Sequence, residues 1–286
     1  MSRLPISVVM LSLNESKNMN RVCLNLIDWA DEIFLLDSYS SDNTIDIAMK
    51  YGLKVFQREF DGFGNQWNFA LNNLPIKNPW TMKIDPDEII SDELKKNIGN
   101  IIKQNECEGI EFYRRLWFIG KPINVKQKIT RIWKTGKCNF VGEKINEHPQ
   151  VDGVIVKAKG YMEHFDSYSL HHWIDKQNNY SSLEAIDLYN NYKKVAFLDF
   201  FDNKKRKNFI KKYFFKIPFR YSLLFFYNYF IKGACLSGTP GFIWSKLRCQ
   251  VYKFREYKFK EMEIKSELLI PVKYKKGTPD KRVKQF

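Results

Sequence analysis

The chain has 286 residues, of which 44% are hydrophobic and 28% are charged. This composition excludes a largely disordered protein and suits one large globular domain or one domain with an appendage. The formal net charge of +15 is unevenly divided, because residues 1–202 hold 25 Lys and Arg against 27 Asp and Glu, whereas residues 203–286 hold 22 against 5. The excess of basic residues in the last third predicts a second functional region.

The cysteines and the apolar segments indicate where the protein resides. The five cysteines include no C-x-x-C pair, and their odd number argues against a disulfide framework or a zinc site. The first residues lead directly into a strand pattern without a signal peptide. The longest apolar run, residues 221–231, is shorter than the roughly 20 residues that span a bilayer. We therefore expect a cytoplasmic protein in a reducing compartment.

The first hundred residues alternate between strand and helix patterns. Apolar runs predict strands at residues 6–11, 32–37, 53–57 and 80–84. Capping residues and helical spacing predict intervening helices, which begin near Asn14, near Ser41 or Asp42, at Phe63 and at Ser91. Because strands that alternate with helices of this length form βαβ units, we predict an α/β fold with a mostly parallel central sheet flanked by helices.

The pattern changes after residue 105. Antiparallel strands are predicted at residues 109–118, 128–133, 151–157 and 161–165, followed by a long helix at about 169–192. Within the basic and aromatic segment 204–232, Pro218 is expected to separate two helices. Residues 233–241 are expected to form a turn before a helix at 242–257. We predict a first domain at residues 1–200 and a helical extension at residues 201–286.

Polar residues follow three of the predicted strands. They are Asn14 and Glu15, Asp37 and Ser38, and the segment 85–88. Ligands of open α/β sheets bind at the carboxyl ends of the strands. Each segment alone is also explained as a helix cap or a turn. Three such segments at one edge of the sheet favour a binding site.

Asp85 and Asp87 form a D-x-D pair directly after the fourth predicted strand. In an extended segment, residues two positions apart point to the same side. The pair can therefore share a hard divalent cation such as Mg²⁺ or Mn²⁺, with diphosphate oxygens completing its coordination shell. A D-x-D pair is common by chance, but its position at the end of a buried strand after three alternating units makes it more informative.

The ordered set of these segments resembles the family 2 glycosyltransferases with the GT-A fold. The most similar branch is the bacterial one that adds glucose or related sugars to lipopolysaccharide core or exopolysaccharide. The resemblance covers about residues 5–190 and is weak in the basic residues of the last third of the chain. It is carried by residues 6–15, 32–38, 41–44, 63–70, 85–88 and 146–148.

The resemblance implies roles for residues that would bind the donor. Glu15 and Asp37 are expected to contact the uridine of a UDP-sugar. Asp85 and Asp87 match the metal-binding D-x-D pair of the family. Gln66 and Asn68 fall where the family has polar or basic residues near the donor.

The resemblance also implies a general base. Glu147 lies where this branch has a His-Glu pair, although Asn146 replaces the histidine. An inverting transfer needs a carboxylate to take the proton of the attacking hydroxyl, so Glu147 is the candidate, with Asp87 or Glu88 as alternatives.

Three further residues have two interpretations each. His164 resembles a histidine that many GT-A enzymes present as a metal ligand, and its alternative role is a structural hydrogen bond. Arg131 and Lys144 can contact a diphosphate, but exposed surface charges are the simpler interpretation.

The segment 204–232 interleaves basic and aromatic residues, with eight Lys and Arg between Lys204 and Arg220. This composition suits the headgroup region of an anionic membrane. Packing on the first domain, contact within a homo-oligomer and nucleic-acid binding are the alternatives. The acidic first region argues against nucleic acid as the main partner.

These observations predict an inverting, metal-dependent glycosyltransferase at the inner face of the cell membrane. It would move glucose or a related hexose from a UDP-sugar to a lipid-linked glycan. A nucleotidyltransferase of the same fold is the first alternative, although the loop after the first strand lacks the expected glycines and basic residues. A non-enzymatic module that binds lipid or RNA is the second.

Overall fold

The computed structural model describes residues 3–141, 148–191, 213–214, 216–269 and 276–286. The chain divides into two compact units. The first unit comprises Met1–Arg115, Lys126–Phe165 and Tyr274–Phe286, and the second comprises Leu116–Val125 and Asp166–Lys273. The predicted domain boundary at residue 200 lies outside the described residues and stays a prediction.

The first unit begins with the predicted alternation of strands and helices. Its first elements are β1 (Leu4–Ser12), α1 (Ser16–Leu26), β2 (Ala30–Asp37), α2 (Thr44–Lys50), β3 (Lys54–Gln57), α3 (Phe63–Asn73), β4 (Trp80–Lys83), β5 (Glu88–Ile90) and α4 (Asp92–Gln104). They are followed by β6 (Gly109–Phe118), β7 (Lys121–Lys134), β8 (Cys138–Val141), β9 (His148–Val151), β10 (Ile155–His164) and β11 (Lys284–Gln285).

Within the described residues, one sheet has the strand order β11-β3-β2-β1-β4-β7-β6-β10-β5, and β8 pairs with β9 separately. The strands from β11 to β4 are parallel, whereas β7 is antiparallel to β4. The predicted α/β fold with a central sheet flanked by helices is therefore confirmed. The carboxyl ends of β1, β2 and β4 lie at the same edge, because parallel neighbours run in one direction.

The apolar pattern of the sequence accounts for the core of this unit. The first strand, β1, is buried over most of its length, and α1 turns its four buried residues towards the sheet. The helix α4 begins after Ser91, whose side chain accepts a hydrogen bond from the backbone N–H of Leu94. A serine in this position satisfies one of the free N–H groups at a helix start.

Two predicted strand assignments are wrong, and two short strands were missed. The predicted strand 151–157 is two strands, because Gly153 between β9 and β10 has a φ of 120°, in the left-handed region that favours glycine. The predicted strand 161–165 is the end of β10. The short strand β5 and the final strand β11 were not predicted, since two or three residues carry no periodicity.

The second unit contains the tip of the β6–β7 hairpin and a group of helices. Its helices are α5 (Leu170–Asn191), α6 (Arg220–Phe226), a π-helix (Tyr227–Ile231), a 3₁₀-helix (Ala234–Ser237) and α7 (Gly238–Lys265). Phe118 and Ile123 from the hairpin tip are buried in one cluster with Trp173, Trp244 and Val251. Among the described helices, none is both long enough and apolar enough to cross a membrane.

The predicted turn at residues 233–241 is wrong at its end. The helix α7 already begins at Gly238, so Pro240 lies in its first turn. A proline is tolerated there because its missing N–H would have no partner within the helix. Of the predicted pair of helices in 204–232, the part before residue 213 lies outside the described residues.

A buried carboxylate connects α6 to α7. Glu256 is 1% exposed, and Arg220 donates to it at 2.7 and 3.0 Å. The hydroxyl of Tyr221 also donates to Glu256, and Lys260 lies 3.1 Å away. Burial opposes the ionisation of Glu256, but the hydrogen bonds from Tyr221, Arg220 and Lys260 outweigh it and lower its pKa.

We predict that Glu256→Gln makes the stability of the protein less sensitive to acidic pH. A carboxyl group with a lowered pKa contributes stability above its ordinary value of 4.5, and this contribution is lost as the pH falls towards the folded-state pKa. Thermal unfolding at pH 7 and at about pH 3.5 measures the difference. The wild type should lose more stability on acidification than Glu256→Gln. The matched control is Glu263→Gln, because Glu263 is exposed on the same helix. An equal acid response in wild type and Glu256→Gln would contradict the prediction.

Candidate active site

Hydrogen bonds join the loop after β1 to the loop after β2. The backbone N–H of Asn14 donates to Ser40 Oγ at 2.8 Å, and the side-chain oxygen of Asn14 accepts from the N–H of Ser41 at 2.8 Å. The N–H of Glu15 donates to Thr44 Oγ1 at 2.8 Å. The two loops therefore form one continuous surface at the carboxyl edge of the sheet, as the sequence predicts.

Asp37 is completely buried beneath this surface. Its carboxylate accepts from Ser12 Oγ at 2.8 Å, from the N–H of Ser40 at 2.8 Å and from Gln57 Nε2 at 3.0 Å. The hydroxyl of Ser40 adds a fourth hydrogen bond. A carboxylate offers about four acceptor positions, so the chain itself occupies those of Asp37. The predicted contact of Asp37 with uridine stays a prediction.

The two polar residues predicted on α3 have partners in neighbouring segments. Gln66 is buried, accepts a hydrogen bond from Arg58 and lies 3.3 Å from Ser38 Oγ. The amide of Asn68 donates to the carbonyl of Phe140 at 2.9 Å and accepts from its N–H at 2.8 Å. Gln66 therefore supports the loop after β2, and Asn68 fixes β8. The predicted proximity of both residues to a donor stays a prediction.

Arg131 lies between two carboxylates at the end of β4. Its guanidinium contacts Asp85 at 2.9 Å and Glu88 at 2.8 Å, and Arg114 contacts Glu88 at 3.0 Å. The expectation that Arg131 is an exposed surface charge is wrong, since only 7% of the residue is exposed. The reason is that β7, which carries Arg131, pairs with β4 inside the sheet.

The charges of this cluster stabilise one another. Burial opposes the ionisation of Asp85, but the positive charges of Arg131 and Lys83 outweigh it and lower the pKa of Asp85. Burial also acts against the charged form of Arg131, but Glu88 and Asp85 raise the pKa of its guanidinium. Asp85 is therefore held as a carboxylate by a buried cation.

Asp87, the other member of the D-x-D pair, has different neighbours. Its Oδ2 lies 3.3 Å from Nε2 of His164, which ends β10. Backbone pairing fixes this approach, because β10 pairs with β5 and the N–H of Phe165 donates to the carbonyl of Asp87 at 2.8 Å. From the sequence, Asp87 is predicted as a metal ligand, and for His164 that role is one of two interpretations.

Two described residues of the first unit offer metal ligands close to one another. They are Asp87 and His164, which present one carboxylate and one imidazole. Both donors suit a divalent cation such as Mn²⁺. This pair contains Asp87 but not Asp85, whose carboxylate pairs with Arg131.

Four other residues of the sequence analysis need separate mention. Glu147, Asn146 and Lys144 lie outside the described residues, between β8 and β9. The carboxylate of Glu15 accepts a hydrogen bond from the side chain of Asn18 at 2.8 Å. The predicted roles of Glu147 as base and of Glu15 at the uridine stay predictions.

Comparison with known proteins identifies the family. The family model described as "Glycosyl transferase family 2" matches residues 7–185. The chain belongs to this family. It is therefore a glycosyltransferase, and the resemblance found in the sequence is confirmed.

Two similar proteins illustrate the relationship. The lipopolysaccharide core biosynthesis glycosyltransferase LpsC of Rhizobium meliloti is 26% identical over 190 residues, which cover 62% of this glycosyltransferase and 69% of LpsC. An uncharacterized glycosyltransferase of Rickettsia conorii is 26% identical over 289 residues, which cover 94% of this chain and 95% of the relative. The likeness to the Rickettsia protein therefore extends well beyond the residues that the family model matches.

A solved structure has the same fold. The mannosyltransferase PcManGT from Pyrobaculum calidifontis, in complex with GDP-Man and Mn²⁺, superimposes with a TM-score of 0.50. The two chains are 12% identical, and the match covers 90% of this glycosyltransferase and 87% of PcManGT. The predicted GT-A fold is confirmed.

We predict that Arg131→Met strongly destabilises the glycosyltransferase. Removing one partner of a buried ion pair leaves uncompensated charge, and such changes cost about 3–5 kcal/mol. The control is Lys128→Met on the same strand, because Lys128 is 58% exposed and its pair with Glu111 is a surface one. Loss of an exposed pair costs about 1 kcal/mol or less. Urea unfolding measures both variants, and equal losses would contradict the prediction.

Proposed function

We propose that this glycosyltransferase is an inverting, metal-dependent enzyme. It transfers a hexose, such as glucose, from a UDP-sugar to a lipid-linked glycan in the synthesis of lipopolysaccharide or exopolysaccharide. One observation carries the proposal: Nε2 of His164 lies 3.3 Å from Oδ2 of Asp87. The two residues lie at strand ends, at the edge where open α/β sheets bind their ligands. The name of LpsC supports a lipopolysaccharide-type acceptor. Family membership favours glycosyl transfer over nucleotidyl transfer and over a non-enzymatic lipid- or RNA-binding module.

The donor is proposed to bind across the joined loops. Asp37 holds the loop after β2 from below, and Glu15 is presented by the loop after β1. Arg131 fixes Asp85 beside the D-x-D turn, which leaves Asp87 and His164 as the proposed ligands of Mg²⁺ or Mn²⁺. A bound divalent cation would neutralise the negative charge that develops on the leaving diphosphate.

The acceptor hydroxyl is proposed to be activated by Glu147. A carboxylate within hydrogen-bond reach takes its proton as the hydroxyl attacks the anomeric carbon opposite the leaving diphosphate. No covalent intermediate is needed for such an inversion. This assignment rests on the resemblance of residues 146–148 to the family motif.

We predict that UDP binding requires Mn²⁺ or Mg²⁺ and depends on Asp87 and His164. In calorimetry, the wild type should bind UDP with Mn²⁺ and bind it at least about tenfold more weakly after chelation of the metal. Asp87→Ala and His164→Ala should reduce the effect of Mn²⁺, because each removes a ligand atom. His171→Ala is the matched control, since His171 is 89% exposed on α5.

The nucleotide is tested in the same titrations by comparing UDP with GDP, because the structure of PcManGT is a complex with GDP-Man. Stronger binding of GDP would contradict the proposed uridine donor. Unchanged Mn²⁺ dependence in Asp87→Ala would remove Asp87 from the proposed metal site.

The second unit has a surface that supports membrane binding. Six apolar residues are exposed at helical spacing along α6 and the π-helix, and we call them the apolar ridge: Phe219, Leu223, Phe226, Tyr227, Phe230 and Ile231. Their positions differ by four, three, one, three and one residues, so they share one helical face. Lys216 and Lys232 lie at its two ends and are exposed.

We propose that the apolar ridge inserts into the headgroup region of an anionic membrane, at the cytoplasmic face. The charge supports this partner, because residues 203–286 hold 22 Lys and Arg against 5 Asp and Glu. Each basic residue near an anionic surface contributes about 1 kcal/mol, and salt screens this attraction. Docking would bring the enzyme to an acceptor that is confined to the bilayer.

We predict that Phe219→Ser combined with Phe230→Ser weakens binding to anionic vesicles by about tenfold or more, because two exposed rings can no longer be buried. Both side chains are more than half exposed, so the fold should be retained. Co-sedimentation with anionic and neutral vesicles, at low and high salt, measures binding.

The matched control for the ridge is Ile264→Ser, because Ile264 is 85% exposed at the far end of α7. It should bind like the wild type. Equal binding of the wild type to anionic and neutral vesicles, or no binding to either, would contradict the membrane proposal. A loss as large in Ile264→Ser would show that the ridge is not the contact surface.

A further inference from the structure

The last described residues, 276–286, belong to the first unit, and we call them the C-terminal segment. Its strand β11 pairs in parallel with β3, with Gln285 opposite Gln57. The N–H of Phe286 donates to the carbonyl of Gln57 at 2.9 Å. The ring of Phe286 packs against Phe56 and Phe69, with ring centroids at 5.6 and 5.0 Å. The C-terminal segment therefore completes the edge of the sheet beside β3.

Gln57 connects this segment to the buried carboxylate of Asp37. The side-chain oxygen of Gln57 accepts from the N–H of Asp280 at 2.7 Å and from Gln285 Nε2 at 2.9 Å. Its side-chain nitrogen donates to Asp37 at 3.0 Å. Gln57 is completely buried, so this orientation of its amide is fixed by partners on both sides.

Gly277 contacts the loop after β2 directly. Its N–H donates to the carbonyl of Tyr39 at 2.7 Å. A Cβ atom on Gly277 would lie 2.7 Å from the carbonyl oxygen of Ser40 and 3.2 Å from the Cα of Ser41. The requirement for glycine here is therefore steric, since a residue with a Cβ atom cannot approach the loop backbone so closely.

The contacted loop has a backbone that needs support. Tyr39 has a φ of 64°, which is unfavourable for a residue with a side chain. The Tyr39 carbonyl accepts from Gly277, while its neighbours Ser38 and Ser40 contact Gln66 and Asp37. The loop is thus held from the sheet and from the C-terminal segment.

We propose that the C-terminal segment is a positioning element for the donor-binding loop at residues 38–41. It fixes the loop through Gly277 and, by way of Gln57, through the orientation of Asp37. The inference rests on the proposed function, because it assigns donor binding to this loop. Protection of the exposed edge of β3 alone would explain the contacts of residues 284–286 but not those of Gly277.

The test is Gly277→Ala in the full chain. The added methyl group must displace the Ser40 carbonyl, so the Kd for UDP with Mn²⁺ should rise by about tenfold. The KM for the donor should rise with it, while the KM for the acceptor stays unchanged. The Tm should fall by about 3 °C or less, because the contact lies at the surface of the unit.

The matched control is Gly99→Ala in α4 of the same unit. Its new Cβ atom would lie 3.5 Å from Leu4, an ordinary van der Waals distance, so UDP binding should be unchanged. A second variant, Gln285→Glu, replaces the group that donates to Gln57 with an acceptor and adds no bulk near the loop. It should also raise the Kd for UDP, by about threefold or more.

The outcomes separate the two proposals. If the wild type binds no nucleotide, the proposed function fails. If the wild type binds UDP and both Gly277→Ala and Gln285→Glu bind it equally well, the positioning role is overturned. If Gly277→Ala does not fold, Gln285→Glu decides alone. A rise in Kd that Gly99→Ala shares would also overturn the inference.

Discussion

The loops at the proposed donor site depend on one buried charge, the carboxylate of Asp37. A carboxylate without water is stable only when hydrogen bonds replace its hydration. Its donors come from three places in the chain: Ser12 at the end of β1, Ser40 in the loop after β2, and Gln57 at the end of β3. Satisfying this charge therefore brings the ends of three parallel strands into one arrangement. The surface that these loops form follows from the need to pair Asp37.

A second buried cluster organises the other half of the edge, where the parallel and antiparallel parts of the sheet meet. Arg131 reaches from β7 to Asp85 and Glu88, and this pairing separates the two aspartates of the D-x-D motif. Asp85 is committed to a cation of the protein, whereas Asp87 lies beside His164. The two aspartates of the motif, two positions apart, thus have different partners. One carboxylate pairs with Arg131, and the other is the proposed ligand of the metal.

The parallel half of the fold was predictable because its strands and helices are long, periodic and joined in sequence. Asp87 and His164 were predictable as residue types at a strand end and within a family motif. The pairing of Asp85 with Arg131 was not, since it joins residues 46 positions apart and depends on the register of β4 against β7. Gln57 and Gln285 are 228 positions apart, and a two-residue strand has no pattern to detect. The long-range pairing of short segments therefore could not be predicted from the sequence.

The order of the chain has a consequence for the synthesis of the protein. The second unit is inserted in sequence between β10 and the C-terminal segment of the first unit. Translation delivers the residues that pair with β3 and Gln57 only after the whole second unit has been made. Until then the edge of β3 presents unpaired backbone groups, which are a known route to misassembly. A nascent chain therefore completes the support of the loop after β2 late. The interval during which the edge of β3 needs protection is set by the length of the insertion.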